Sequence, residues 1–155
     1  MSVSAYKRKK ELIMKNDPRW QTALYTTETY NEEGLEGHAY VPDGLNLQTS
    51  SPLNDHPGTN PEQLLGMSLC TCLVATMQAV EKEHQLEHHA KVRAKIAYIG
   101  ERAHYEFLVH AQICVPQVDF DTAKKLVAET EKRCCVSQLL SGSKNYSVEA
   151  VEDWK

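Results

Sequence analysis

At 155 residues the chain is long enough for one domain with a substantial core and short for two. Its charged and apolar fractions are those of an ordinary globular protein, and a formal net charge of −4 supplies no basic field of the kind nucleic-acid binding needs. Five cysteines, an odd number, point to reduced thiols in a cytoplasmic protein rather than to a permanent disulfide framework.

Residues 1–20 read as a polar N-terminal extension ahead of a single domain over residues 21–155. The run Lys7-Arg8-Lys9-Lys10 has no apolar core or cleavage site after it, so it reads as a solvated tail and not as a signal peptide. Lys9 to Met14 predicts a short helix, stopped by Asp17-Pro18. Ala23 to Tyr30, rich in Thr and Tyr, predicts a strand. Gly34 and Gly37 punctuate a turn, and His38–Val41 and Leu45–Thr49 predict two short strands about the turn Pro42-Asp43-Gly44. Ser50 to Gly58 reads as a loop.

The segment from Pro57 to Val80 differs from the rest. Asn60 is suited to cap a helix, Pro61 to occupy its first position, and Glu62 to face the positive end of its dipole. From Leu64 to Val80 the polar residues are only Ser68, Thr71, Thr76 and Gln78, the pattern of a long buried helix. That run is short for a bilayer and broken by hydroxyls, which argues against a membrane span. Glu81 to His89 reads as a frayed helix end and linker.

The period then becomes two. Val92, Ala94, Ile96 and Tyr98 share one face, and after the turn Gly100-Glu101-Arg102 so do Tyr105, Phe107, Val109, Ala111 and Ile113, which predicts an antiparallel hairpin ended by Pro116. Asp119 or Asp121 is placed to cap a second helix with the stripe Ala123, Leu126, Val127 and Thr130. If that helix continues, Cys134 lies within about 20° of Val127 and faces the core, with Cys135 about 100° round. Tyr146, Val148 and Ala150 predict a last strand. Segregated strands and helices fit an α+β fold with an antiparallel sheet. One small sheet covers one side of a helix that is apolar all round, so a second layer or a partner subunit is expected.

Cys70, Cys72, Cys134 and Cys135 offer four thiols. Two helical positions two apart diverge by about 200°, so Cys70 and Cys72 cannot face one ion, and a four-thiol zinc site is disfavoured. His84 and His88 are one turn apart and leave a metal-binding module as a minor reading. The redox reading needs a thiolate on one helix and a second thiol able to reach it after oxidation.

Pro57-Gly58-Thr59-Asn60-Pro61-Glu62-Gln63-Leu64 resembles the signature of the OsmC/Ohr family, the osmotically inducible and organic hydroperoxide resistance proteins. The family's reactive cysteine lies ten residues after the motif glutamate, which selects Cys72; its second cysteine opens a Cys-Pro-Tyr-Ser-like motif, matched at its two ends by Cys134-Cys135-Val136-Ser137. The resemblance implies an intertwined homodimer with the central helices between two sheets. It implies attack of the Cys72 thiolate on an organic hydroperoxide, a Cys72–Cys134 disulfide, and reduction by an external dithiol of lipoyl type, with no bound cofactor or metal. Glu62 would orient an arginine beside the thiolate. The turn that carries this arginine in the family reads Glu33-Gly34-Leu35-Glu36-Gly37-His38, with Leu35 in its place. Arg19, Arg133 and His38 are the candidate substitutes, and a catalytically weak dimer that binds an apolar small molecule or senses oxidants is the alternative reading. Leu64, Leu65, Met67, Leu69 and Leu73 are expected to make any substrate pocket apolar.

Overall fold

The computed structural model describes residues 16–101 and 104–154. The expected helix at Lys9–Met14, the basic run before it and Arg102 of the hairpin turn lie outside them. The chain divides into two compact units, Met1–Gln48 and Thr49–Lys155.

In the first unit Asp17-Pro18 opens an element where the sequence predicted an end. Asp17 accepts the Arg19 N–H and Pro18 starts a 3-10 turn, Pro18–Thr22, because a capping carboxylate followed by proline is also a helix start. Ala23–Tyr30 forms no strand beyond a single bridge from Tyr30 to Tyr40, where the two rings stack at 5.5 Å. Its β-prone residues meet no pairing partner, and propensity without a partner makes no strand. Strands β1 (His38–Tyr40) and β2 (Asn46–Gln48) pair antiparallel about the expected turn, with Asp43 at φ 57°.

The second unit holds the thiols. Its helix α1 spans Pro61–Glu83 and is capped by Asn60, whose side-chain oxygen accepts the Gln63 N–H at 2.9 Å. Leu69, Leu73, Met77 and Val80 form its fully buried stripe. Gly66 lets the helix approach the sheet, since a Cβ there would stand 3.3 Å from the Ile96 Cδ1. The flank that carries Met67 is open in this chain, with that side chain 53% exposed. At 23 residues α1 is longer than the run read from the sequence, and by length and composition it could cross a membrane. Its stripe and the Glu81 carboxylate are packed inside the unit, which makes it a core helix.

Strands β3 (Lys91–Glu101) and β4 (His104–Cys114) form the expected hairpin, Val92 opposite Ile113 and Ile96 opposite Val109. Helix α2 (Phe120–Arg133) is capped by Asp119 and buries the expected Ala123, Leu126, Val127 and Thr130. A six-residue helix α3 (Cys135–Leu140) follows, then β5 (Tyr146–Val151). β5 pairs with β4 in parallel, so the sheet, ordered β3-β4-β5, is mixed where an antiparallel one was expected. Two helices between β4 and β5 carry the chain back to the same sheet end, the crossover that a parallel pair requires. On the exposed face His110 bridges Ser147 and Glu149, and Gln112 donates to Glu149, tying β5 across to β4.

The polar segment after α1 is tied down rather than frayed. Glu81 is completely buried and accepts from the Ala90 N–H at 3.2 Å and the Gln117 amide at 3.1 Å, and pairs with the His88 ring. Its carboxylate joins the end of α1, the start of β3 and the β4–α2 loop. A polar side chain is tolerable there because fixed hydrogen-bond partners replace its water.

Candidate active site

Three local features meet at the thiols. Cys72 lies on the middle of α1, on the side that faces α3. Cys134 leaves the helical region at φ −69°, ψ 119° and so ends α2 and caps α3 at one residue. Its sulfur accepts the Ser137 N–H at 3.5 Å, in the way a cap side chain does. The second helix therefore stops one residue short of the extrapolation that aimed Cys134 inward. The residue is still fully buried, because the break turns its side chain back toward α1.

The two thiols are free, and the Cys134 thiol donates to the Cys72 sulfur across 3.0 Å. Burial pushes the Cys72 thiol up. The Cys134 thiol, the Val136 and Cys135 amides and the Thr76 hydroxyl, which also bonds the Cys72 carbonyl oxygen, outweigh it and hold Cys72 below the ordinary thiol value. Burial pushes Cys134 up, and its hydrogen bond to Cys72 adds to this, against the opposing Ser137 N–H and hydroxyl. One sulfur is thus biased to the anion and its neighbour to the neutral donor. Ser137, almost fully buried, also shares a hydrogen bond of 2.6 Å with the Tyr146 hydroxyl on β5.

Thr76, Val136 and Tyr146 carried no signal in the sequence reading. Ser137 was in view as the serine end of the Cys134-Cys135-Val136-Ser137 motif, and three residues is also the spacing of a cap to its N–H donor.

Glu62 stands elsewhere. It lies ten residues before Cys72, about 15 Å along the helix axis. It lines an open cavity of about 550 Å³ with Gly66, Met67, Cys70, Val92 and Ile96. Its Oε2 is buried and has no hydrogen-bond partner among the described residues. Cys70 faces this cavity and the backbone of Ala94, and burial raises its pKa. The two cysteines of α1 therefore point apart, as helical geometry requires. Leu69 and Leu73, expected to make a substrate pocket apolar, are fully buried in the core.

The candidate substitutes for an arginine are engaged with carboxylates. Arg133 bonds Glu83 and Glu129, Arg19 pairs with Asp17, and His38 pairs with Glu33. His84 pairs with Glu129 and His88 with Glu81. Among the described residues no group of three or more His, Cys, Asp or Glu side chains is placed to hold a metal ion. Cys114 donates to the Glu152 carbonyl oxygen, and Cys135 is exposed.

Comparison with known proteins bears on this arrangement. A family model described as OsmC-like protein matches residues 54–149, which include the helix motif and both thiols. The organic hydroperoxide resistance protein OhrB of Bacillus subtilis is 23% identical over 133 residues, covering 82% of this chain and 98% of its own. The organic hydroperoxide resistance protein of Xanthomonas axonopodis pv. citri is 28% identical over 130 residues, covering 79% and 92%. Among solved structures, a candidate redox protein from Lactobacillus casei ATCC 334 superposes with a TM-score of 0.88 at 64% identity, over 90% of this chain and 99% of the other. The OhrB crystal structure superposes with a TM-score of 0.76, over 83% and 100%, and shares the fold. By its α+β architecture and by the match across most of the second unit, this chain belongs to the OsmC-like protein family.

Proposed function

We propose that this protein is a cytoplasmic thiol peroxidase that reduces organic hydroperoxides to alcohols in defence against oxidative stress. The observation that carries the reading is the 3.0 Å hydrogen bond from the Cys134 thiol to the Cys72 sulfur, within a set of donors that favours the Cys72 thiolate. The thiolate attacks the terminal peroxide oxygen, the O–O bond breaks, and the alkoxide takes up a proton to leave as alcohol. Cys72 becomes a sulfenic acid. Cys134 attacks it, water leaves, and a Cys72–Cys134 disulfide remains. An external dithiol of lipoyl type returns both cysteines to thiols by exchange.

The working unit in this reading is a homodimer. The open flank of α1 is the surface a second copy would cover. The unpartnered Glu62 oxygen is the group for which a cation from that copy would compensate, since a buried carboxylate without a partner is costly.

The test is to mix reduced protein with cumene hydroperoxide, count free thiols, and map the product by mass spectrometry. Loss of two thiols with a Cys72–Cys134 link, absent in Cys72→Ser, is the expected result. No thiol loss, or equal loss in Cys72→Ser, ends the proposal. The engagement of Arg19, Arg133 and His38 elsewhere favours a second reading, a dimer that senses oxidants or binds an apolar molecule without turnover. Sustained peroxide consumption with dihydrolipoate present excludes it; a single stoichiometric oxidation supports it.

A further inference from the structure

The hydrogen-bonded chain does not end at the two sulfurs. From Cys72 it runs to Cys134, from Cys134 to Ser137, and from Ser137 to Tyr146. The last link is a 2.6 Å contact between two hydroxyls. Cys134 is 0% exposed and Ser137 1%, whereas Tyr146 is only half-buried. Three elements contribute: Cys72 comes from α1, Cys134 and Ser137 from the first turn of α3, and Tyr146 from the start of β5.

A fully enclosed thiol is a poor nucleophile, because water cannot solvate the charge that develops on sulfur as its proton leaves. The peroxidatic sulfur has its own donors. The attacking sulfur of the second step has the Ser137 backbone N–H. The Ser137 side chain is in turn held by the Tyr146 hydroxyl, across a contact in which either oxygen can donate. Tyr146 thereby fixes the residue whose N–H meets the sulfur.

We propose that Ser137 and Tyr146 are positioning residues for the disulfide-forming step: Tyr146 holds Ser137, whose N–H stabilises negative charge on Cys134 while it attacks oxidised Cys72. This rests on the peroxidase reading above. In the step the Cys134 S–H bond breaks and its proton passes to the hydroxyl on Cys72. The Cys134 sulfur electron pair forms the S–S bond. The Cys72 S–O bond breaks, and the hydroxyl departs as water. No outside oxidant or reductant is needed, since the sulfenic acid is the oxidant.

The experiment follows the two steps separately in wild type, Tyr146→Phe and Ser137→Ala. Cumene hydroperoxide oxidises each reduced protein, dimedone traps sulfenic acid, and quenched samples give the disulfide yield against time and pH. Loss of the contact that holds this donor in place predicts disulfide formation about tenfold slower in each variant. Dimedone adduct at Cys72 should accumulate, the pH midpoint of the second step should rise, and the first step should stay within about twofold. Tyr146→Phe removes one half-buried hydroxyl and keeps the ring, so it decides the matter even if Ser137→Ala folds poorly. Disulfide formation at the wild-type rate in Tyr146→Phe overturns the inference, as does an equal slowing of both steps. Wild-type protein that forms no disulfide at all ends the peroxidase reading instead, so the two failures are distinct.

Discussion

The Cys134 thiol donates its hydrogen bond to Cys72 from the one position that closes α2 and caps α3. The sulfur that receives it also has the first amides of α3 within reach. A donor set built from a helix start and a neighbouring thiol stands at the site where the family resemblance called for an arginine.

That donor set predicts a pH profile. Cys72 reacts as the thiolate, so its oxidation rate rises with pH and levels off above its own pKa. Because that pKa lies below the ordinary thiol value, the midpoint of the rise falls at a lower pH than for an exposed cysteine. Cys134→Ala removes one donor and should move the midpoint up. Stopped-flow oxidation across pH 5 to 10, read from the rate of thiol loss, checks both. A midpoint unchanged in Cys134→Ala would show that the neighbouring thiol does not tune Cys72.

Glu81 offers a stability test away from the chemistry. Glu81→Ala leaves the Ala90 N–H and the Gln117 amide without their buried acceptor and opens a cavity. The expected cost is about 3 kcal/mol. Glu81→Gln keeps one acceptor oxygen and should lose less. Denaturant unfolding followed by circular dichroism gives the difference, and two variants equal to wild type would contradict the role given to this carboxylate.

The motif glycine is held by backbone. Gly58 has φ +144°, and a Cβ there would lie 2.8 Å from the Thr49 carbonyl carbon. This is where Thr59 pairs with Thr49 and the Ser50 N–H donates to the Thr59 carbonyl oxygen. Gly58→Ala should cost about 2 kcal/mol. Thermal melting is the check, and an unshifted midpoint would mean the loop relaxes around the added methyl.

The proposed dimer has a direct test as well. Met67 lies on the open flank of α1. Met67→Asp sets a charge on that flank and should shift the protein from dimer to monomer in sedimentation, with the helical circular dichroism signal intact. A variant that still sediments as a dimer would place the contact elsewhere.

The second unit was readable because its signals are local. Asn60-Pro61-Glu62 marks the start of α1, the two-residue alternation over 92–113 sets the register of β3 on β4, and Asp119 with its stripe places α2. Three things were not readable. Strand direction is not written in a strand, so β5 was assigned to an antiparallel sheet when only the path of two helices decides it. The end of α2 was not visible either, because Cys134 carries no proline or glycine to announce the break. At the site, Cys72 and Cys134 were singled out by motif spacing, but the donors around them include backbone amides, which no residue type announces.

Position 134 carries a conflict of interest. Serine, aspartate or asparagine there would hold the start of α3 better than a sulfur whose contact with the Ser137 N–H is 3.5 Å long. Each such exchange would firm up the molecule and take away the atom that partners Cys72. The weak helix start is therefore a tolerated flaw, and a screen for heat resistance alone should find its gains at this codon among variants that have given up the second thiol.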